Sequence, residues 1–338
     1  LRGKLWEISG HANHYRENMY YFDLDGDEYA VKPMNCPGHM LIYGSKLHSY
    51  RDLPVKLFEL GTVYRYEKAG VLHGLLRVRG FTQDDGHIFC RRDQVEEEIG
   101  KVLDLAFELL SAFGFRNYEI ELSTQPPKFI GRQEDWDLAT CALKNALEAR
   151  QIKYQVHEGE GAFYGPKIDI KLKDAIGRQW QCSTVQCDFA LPERFELSFV
   201  NEAGEKERPI MIHRALFGSV ERFFGTLIEH YAGNFPLWLS PVQAVLIPIK
   251  SEHDAFAREV AERLRAEGLR VETDARNESL GKRIREARLQ RVPYVLVMGD
   301  KEVEARKVAV RKRPETDLGV MTVDDFVGIA RKDIVDKQ

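Results

Sequence analysis

No run in this 338-residue chain approaches the roughly 18 consecutive apolar residues of a membrane-spanning helix. Nor is there a CxxC pair, an internal repeat or a low-complexity tract. These absences argue against a membrane bundle, a cysteine-framed secreted scaffold and a solenoid. Five cysteines, an odd number, point to a reducing compartment. A core of this size needs no covalent staples. Charge of one sign is scarce as well, since the net value is only −4. The opening residues, LRGKLWEISG, lack a secretory pattern and read as a chain already under way. An upstream part is therefore expected, and cytoplasmic is the default localisation.

What is there is ordinary globular composition, 43% hydrophobic and 30% charged, at a length suggesting about two domains. The small net charge hides a split. From Pro241 onward 20 Lys and Arg stand against 18 Asp and Glu, while before it 29 stand against 35. A mildly basic C-terminal part hints at a polyanionic partner, although a solvated surface gives the same excess. The clearest boundary is GNFPLWLSPVQAVLIPI, where a helical pattern ends near Gly233 and Pro236 and Pro241 follow. It separates residues 1–240 from residues 241–338.

Beyond the boundary the pattern alternates. AVLIPI, LRVETDA, YVLVMG and KVAVRKR read as strands. HDAFAREVAERLRAEG, SLGKRIREARLQR and TVDDFVGIARKDIV read as helices, the last with Thr322 as its cap. This predicts a small α/β domain of βαβ units. Before the boundary, long strand-like runs (VKLFELGTVYRYE, LLRVRGFTQDDGHIF, KIDIKLK, QWQCSTVQCDFAL, ERFELSFV) are broken by helices expected at about 93–112, 135–151 and 215–232. That is an α+β pattern, a mostly antiparallel sheet with flanking helices.

Three stretches carry chemistry-bearing residues. KPMNCPGHMLIYG places Cys36 and His39 three apart around Pro37 and Gly38, which fits a metal site, a redox site or a stiff turn. LRVRGFTQDDGHIF, taken as a strand, shows Arg77, Arg79, Phe81, Gln83, Asp85 and His87 on one face. The preceding strand adds Arg65 and Glu67 at i, i+2. Such a face either meets a phosphate-bearing ligand, with Phe81 against a base, or is a surface hairpin with cross-strand ion pairs. In ALFGSVERFFGTLIEHYA, taken as a helix, Gly218 and Gly225 flank Arg222. A flat ligand lying against the backbone and close helix–sheet packing account for those glycines equally well. Cys182 and Cys187, five apart on a strand, read as core.

Together these motifs resemble the class II aminoacyl-tRNA synthetases: an R-x-E strand (Arg65, Glu67), a second strand with Arg77, and Gly218 with Arg222. MNCPGHM, RVRGFTQDDGHIFC, GEGAFYGPKID, STVQCDF and MIHRALFGSVERF are similar to the threonyl-tRNA synthetase family in particular. RNESLGKRIREARLQRVPYVLVMGDKE resembles that family's anticodon-binding domain. The likeness runs along nearly the whole chain. Two departures stand out: the second-motif loop reads RYEKAG where many relatives read RNEPSG, and the first-motif proline is expected before Leu1.

The resemblance implies activation of L-threonine with ATP and transfer to the 3′ end of tRNA(Thr). It implies one Zn2+ per chain on Cys36, His87 and His213, with a coordination position left open, and Mg2+ with the nucleotide. Three protein ligands and an open position are what a working zinc site has. Valine differs from threonine only by a methyl in place of a hydroxyl. An apolar pocket separates such isosteres only about 10²-fold, so the metal is expected to select the hydroxyl. Arg65, Glu67, Phe81, Arg77 and Arg222 are expected at ATP, with Gln181 and Thr184 beside them. Met34, Gln83, Asp85, Tyr164, Lys167, Gln186 and Ser219 are expected at the amino acid, Asp85 taking the hydroxyl proton. His11 is expected to reach the tRNA ribose, although a merely solvated histidine fits as well. Asn277, Glu278, Lys282, Arg285 and Arg288 are expected at the anticodon, where the residues alone would suggest a solvated helix paired through Glu286. A homodimer follows from the family. Rival readings are another class II synthetase, a non-catalytic RNA-binding relative, and a zinc hydrolase.

Overall fold

In the computed structural model, which describes residues 1–337, the chain divides into two compact units, Leu1–Leu227 and Ile228–Gln338. The first opens with helices α1 (Gly3–Ile8) and α2 (His11–His14), hairpin β1 (Tyr21–Leu24) and β2 (Asp27–Ala30), and helix α3 (Cys36–Gly44). Strands β3 (Val55–Tyr64) and β4 (Gly80–Cys90) follow, then α4 (Val95–Ala112), β5 (Tyr118–Ser123), α5 (Gln133–Glu148) and β6 (Gln155–His157). Next come β7 (Lys167–Lys173), β8 (Gln179–Asp188), α6 (Ala190–Arg194), β9 (Phe199–Val200), β10 (Lys206–Glu207), β11 (Ile210–Ser219) and α7 (Val220–Tyr231). A seven-stranded sheet in the order β3-β4-β11-β8-β7-β5-β6 organises the unit. Every pairing in it is antiparallel except β5 with β6. The α+β expectation thus holds.

Four local expectations are corrected. CPGH is not a turn but the start of α3, with Pro37 in the first turn, where its missing N–H leaves no bond unmade. Residues 215–219 are strand, not helix. The Asp84 carboxylate accepts the backbone N–H groups of Leu216, Phe217 and Gly218 at 2.8, 3.0 and 2.9 Å, holding the chain extended until Val220. Gly218 there has φ +69°, and a Cβ would stand 2.3 Å from the Cys182 carbonyl oxygen, so the backbone itself requires glycine. ERFELSFV is not one strand, because α6 starts at Ala190, where Asp188 Oδ1 accepts the N–H of Ala190 and Leu191. Arg77 and Arg79 also precede β4, which begins at Gly80.

The second unit holds β12 (Ala244–Pro248), α8 (Asp254–Ala266), β13 (Val271–Thr273), α9 (Leu280–Leu289), β14 (Tyr294–Met298), α10 (Asp300–Ala305), β15 (Lys307–Lys312), β16 (Thr316–Thr322) and α11 (Val323–Val335). Its sheet runs β13-β12-β14-β15-β16, parallel at β12 with both neighbours and antiparallel beyond. Every residue of β12 and β14 is buried, as a strand covered on both faces demands. Leu246 and Leu296 pack with α8 and α11 (Phe256, Val260, Phe326), while Val245, Val295 and Val297 meet α9 through Ile284 and Ala287. Thr322 caps α11 by accepting the Asp325 N–H at 3.1 Å. Sequence patterning missed α10 and β16, which are short or mostly exposed and carry little periodic signal.

Candidate active site

One face of the seven-stranded sheet carries a cavity of about 350 Å³. Alternation along β4 turns Phe81, Gln83, Asp85 and His87 into it, as that spacing predicts. β11 pairs with β4 so that His213 stands opposite His87, and their rings lie 4.8 Å apart. Cys36, at the start of α3, supplies the third group. The candidate ligand atoms of Cys36, His87 and His213 all lie within 4.8 Å of one another, and all three residues are buried.

Neighbours fix this cluster. His39, one turn along α3 from Cys36, places Nδ1 2.7 Å from His87 Nδ1. His213 Nε2 lies 2.9 Å from Asp188 Oδ2, which leaves Nδ1 as its second donor atom. Asp85 accepts a bond from Asn35 Nδ2 at 3.0 Å, and burial pushes its carboxyl up to about 6. Burial, with the nearby Asp85 and Asp188, holds the Cys36 thiol well above its usual range. Burial also holds His87 well below its usual range, with His213 and His39 adding to the effect. Neutral imidazoles are the ligand form, and a central cation reverses the thiol shift. One sulfur and two nitrogens suit zinc. The residues fit the metal.

The rest of the cavity wall mixes polar and apolar side chains. Arg65 donates to the Pro33 carbonyl at 3.3 Å, and its guanidinium lies 5.1 Å from the Phe81 ring centroid and 6.0 Å from that of Tyr15. Arg222 reaches in from α7 with Nε on the Leu76 carbonyl (2.8 Å) and Nη1 on the Gln181 carbonyl (2.9 Å). Gln181 and Thr184 both donate to Asp169 Oδ1, at 2.7 and 2.8 Å, and Lys167 pairs with Asp169 at 2.5 Å. Gln186 donates to the Gly165 carbonyl at 3.0 Å, and Ser219 donates to Glu221 at 3.1 Å. Met34 and the buried Tyr164 complete the wall.

Other expected residues lie elsewhere. Glu67 and Arg77 pair with each other at 3.0 Å and do not line the cavity. Tyr66, from the divergent RYEKAG, packs edge-on against Tyr20, with Arg79 5.9 Å from its ring centroid. His11 is fully buried, with one ring nitrogen 2.8 Å from Ser9 Oγ and the other 2.9 Å from the Met34 sulfur. Burial pushes it down to about 3. It is therefore a neutral imidazole standing behind the wall. In the second unit Asn277, Glu278, Lys282, Arg285 and Arg288 are all exposed. Lys282 pairs with Glu278 at 2.6 Å and Arg288 with Glu315 at 3.2 Å, while Glu286 pairs with Arg276. Exposed pairs of this kind contribute little to stability.

Sequence reasoning missed Asn35, Asp84, Asp169 and Asp188, which aim or brace the groups that line the cavity. Asp188 was within reach, since strand parity places it on the same face as Gln186 and Thr184. Asp84 was not, because its task is set by a backbone irregularity in β11, a strand more than a hundred residues away.

Comparison with known proteins places this site in context. Residues 20–231 match the tRNA synthetase class II core domain (G, H, P, S and T), and residues 243–333 match the anticodon binding domain. A threonine–tRNA ligase of Oleidesulfovibrio alaskensis is 59% identical over 333 residues, covering 98% of this chain and 52% of that protein. The chain thus spans about half the length of the curated relatives it matches. The RNA binding domain of a threonyl-tRNA synthetase from Cryptosporidium parvum superimposes with a TM-score of 0.92 at 41% identity, covering 98% of this chain and 84% of that one. A putative threonyl-tRNA synthetase from Aeropyrum pernix gives 0.83 at 32% identity, covering 98% and 80%.

Proposed function

The chain belongs to the class II aminoacyl-tRNA synthetases, in the threonyl-tRNA synthetase family, and on that premise we propose that it activates L-threonine with ATP and charges tRNA(Thr). The observation that carries this reading is the convergence of Cys36, His87 and His213 on the wall that also holds Arg65 and Arg222. Cys36, His87 and His213 would hold zinc, which would supply a Lewis acid toward the amino group and hydroxyl of threonine. The chain's own residues do the rest. Asp85, steadied by the Asn35 side-chain amide, accepts the hydroxyl proton of threonine. Gln83, Met34, Tyr164, Lys167, Gln186 and Ser219 close around the amino acid.

Arg65 holds the α-phosphate and the carboxylate together. The carboxylate attacks the α-phosphorus, forming the acyl phosphate bond as the bond to pyrophosphate breaks. Arg222 takes the outer phosphates, which would carry Mg2+, and Arg77 joins it once its pair with Glu67 outside the cavity opens. Phe81 and Glu67 serve the adenine, with Gln181 and Thr184 beside them. A terminal ribose hydroxyl of the tRNA then attacks the threonyl carbonyl and AMP leaves. Positioning and charge stabilisation account for such catalysis. For His11 to serve this second step, Met34 has to move aside. In the second unit the exposed Asn277, Glu278, Lys282, Arg285 and Arg288 read the splayed anticodon.

The test is ATP–pyrophosphate exchange with threonine, serine and valine. Strong exchange with threonine, partial exchange with serine and little with valine are expected. Strong exchange with valine sinks the zinc-selectivity reading. Residues 1–240 and 241–338 are the proposed catalytic and anticodon-binding parts, acting in the cytoplasm. No helix among the described residues is long and apolar enough to cross a membrane. We propose a homodimer as well, because the edge strand β3 exposes Phe58 and Leu60, more than half accessible each. Sedimentation of Leu60→Arg as a monomer is expected, and an unchanged mass rules this edge out.

A further inference from the structure

The segment joining β3 to β4 carries Arg65, Glu67 and Arg77, yet most of it is exposed. Its internal bonds close short turns, among them the Val71 N–H to the Lys68 carbonyl at 3.1 Å and the Leu76 N–H to the His73 carbonyl at 2.9 Å, and Arg79 Nε donates to the Glu67 carbonyl at 2.9 Å. The Arg65 N–H donates to the Arg79 carbonyl at 2.8 Å, the His73 N–H donates to the Arg77 carbonyl at 3.0 Å, and Arg77 pairs with Glu67. At its start the segment is held by Arg65 on the Pro33 carbonyl and by the Tyr66 N–H on the Asn18 carbonyl at 2.9 Å, while its far end, around His73, meets the turn between β7 and β8 and the start of β8.

Trp180 is the centre of that support. The His73 ring lies parallel to the indole, 6° between planes and 6.1 Å between centroids. Arg178 and Arg222 each place a guanidinium 5.6 Å from the indole centroid. Arg222 also donates to the Leu76 carbonyl within the segment, and Arg178 lies 3.0 Å from His73 Nε2. The indole is itself held. Its Nε1 donates to Asp174 Oδ2 at 2.9 Å, and the same carboxylate, buried at the turn, receives Arg178 Nε at 2.6 Å and the backbone N–H groups of Ile176 and Arg178. One aromatic ring therefore ties together the turn, the segment and the arginine that faces the cavity. An isolated ion pair does not require this arrangement. A face that steadies cations and a stacked imidazole at once does.

We propose that Trp180 is a positioning residue for ATP: its indole anchors the His73–Leu76 stretch of the segment and aims Arg222 at the nucleotide. This rests on the cavity being the ATP site. It places no demand on the zinc cluster, so nucleotide and amino acid separate in the test.

In threonine-dependent ATP–pyrophosphate exchange, Trp180→Leu is expected to raise the KM for ATP about tenfold. The KM for threonine and the zinc content stay at the wild-type values. Trp180→Phe keeps a ring face but loses the bond to Asp174, and falls between the two. Independently of activity, Trp180→Leu exposes the segment to faster trypsin cleavage after Lys68, which is already accessible. Unchanged cleavage together with an unchanged KM for ATP overturns the proposal, and so does an equal rise in both KM values. Absence of exchange in the wild type indicts the functional reading instead, while faster cleavage still upholds the anchoring.

Discussion

The two sheets of this protein use their faces differently. In the five-stranded sheet β12 and β14 are buried on both sides, and helices α8, α9 and α11 take up the apolar surface. In the seven-stranded sheet β4 and β11 present Gln83, Asp85, His87 and His213 to a cavity. A sheet closed on both faces is left with exposed helix surfaces and edges as its contact area. A sheet with one concave polar face holds a small ligand in its middle. Polar residues on a buried sheet face are costly unless bonded, and in this cavity Asp169, Asp188 and Asn35 supply the bonds.

The sharpest way to break the comparison is to empty the concave face. Cys36→Ser is expected to lose the metal and lower threonine-dependent exchange by more than about 10²-fold, with the second unit's folding unchanged; metal analysis beside the exchange assay checks it. Next comes the closed sheet. Leu296→Ala removes a fully buried side chain from β14, and about 2–5 kcal/mol of stability should go with it. Denaturant unfolding should show the loss, and exchange should survive where tRNA charging fails. Gly218→Ala forces a Cβ toward the Cys182 carbonyl at positive φ. It should cost about 1–3 kcal/mol and displace Arg222, read as a rise in the KM for ATP. The smallest effect belongs to the exposed helix α9. Lys282→Ala should weaken tRNA binding severalfold and reduce the salt slope by about 1, leaving exchange untouched. Loss of exchange in that variant contradicts the separation of roles.

Legibility followed periodicity. KIDIKLK is β7, and YVLVMG matches β14 to within one residue, because strand alternation and buried β-branched runs carry their own signal. The alternation of QDDGH is enough to put Gln83, Asp85 and His87 on one face, and all three line the cavity. Where a tertiary contact sets the local conformation, pattern reading failed. Residues 215–219 have helical composition but are held extended by Asp84. CPGH looks like a turn because proline and glycine suggest one, yet Pro37 in a first turn is compatible with helix.

By itself the sequence determined the two-part organisation, the sheet types and the inventory of ligand-bearing residues. These depend on hydrophobic period and residue chemistry, both local properties. Only the tertiary structure decided which residues meet. Cys36, His87 and His213 lie far apart along the chain and converge because β11 pairs with β4 in one register while α3 packs at its side. A one-residue slip of that register would turn His213 to the other face of the sheet. The fixing of His213 by Asp188 depends on a second register, that of β11 with β8, in which Met211 stands opposite Asp188. Long-range pairing set it, and no window along the sequence contains it.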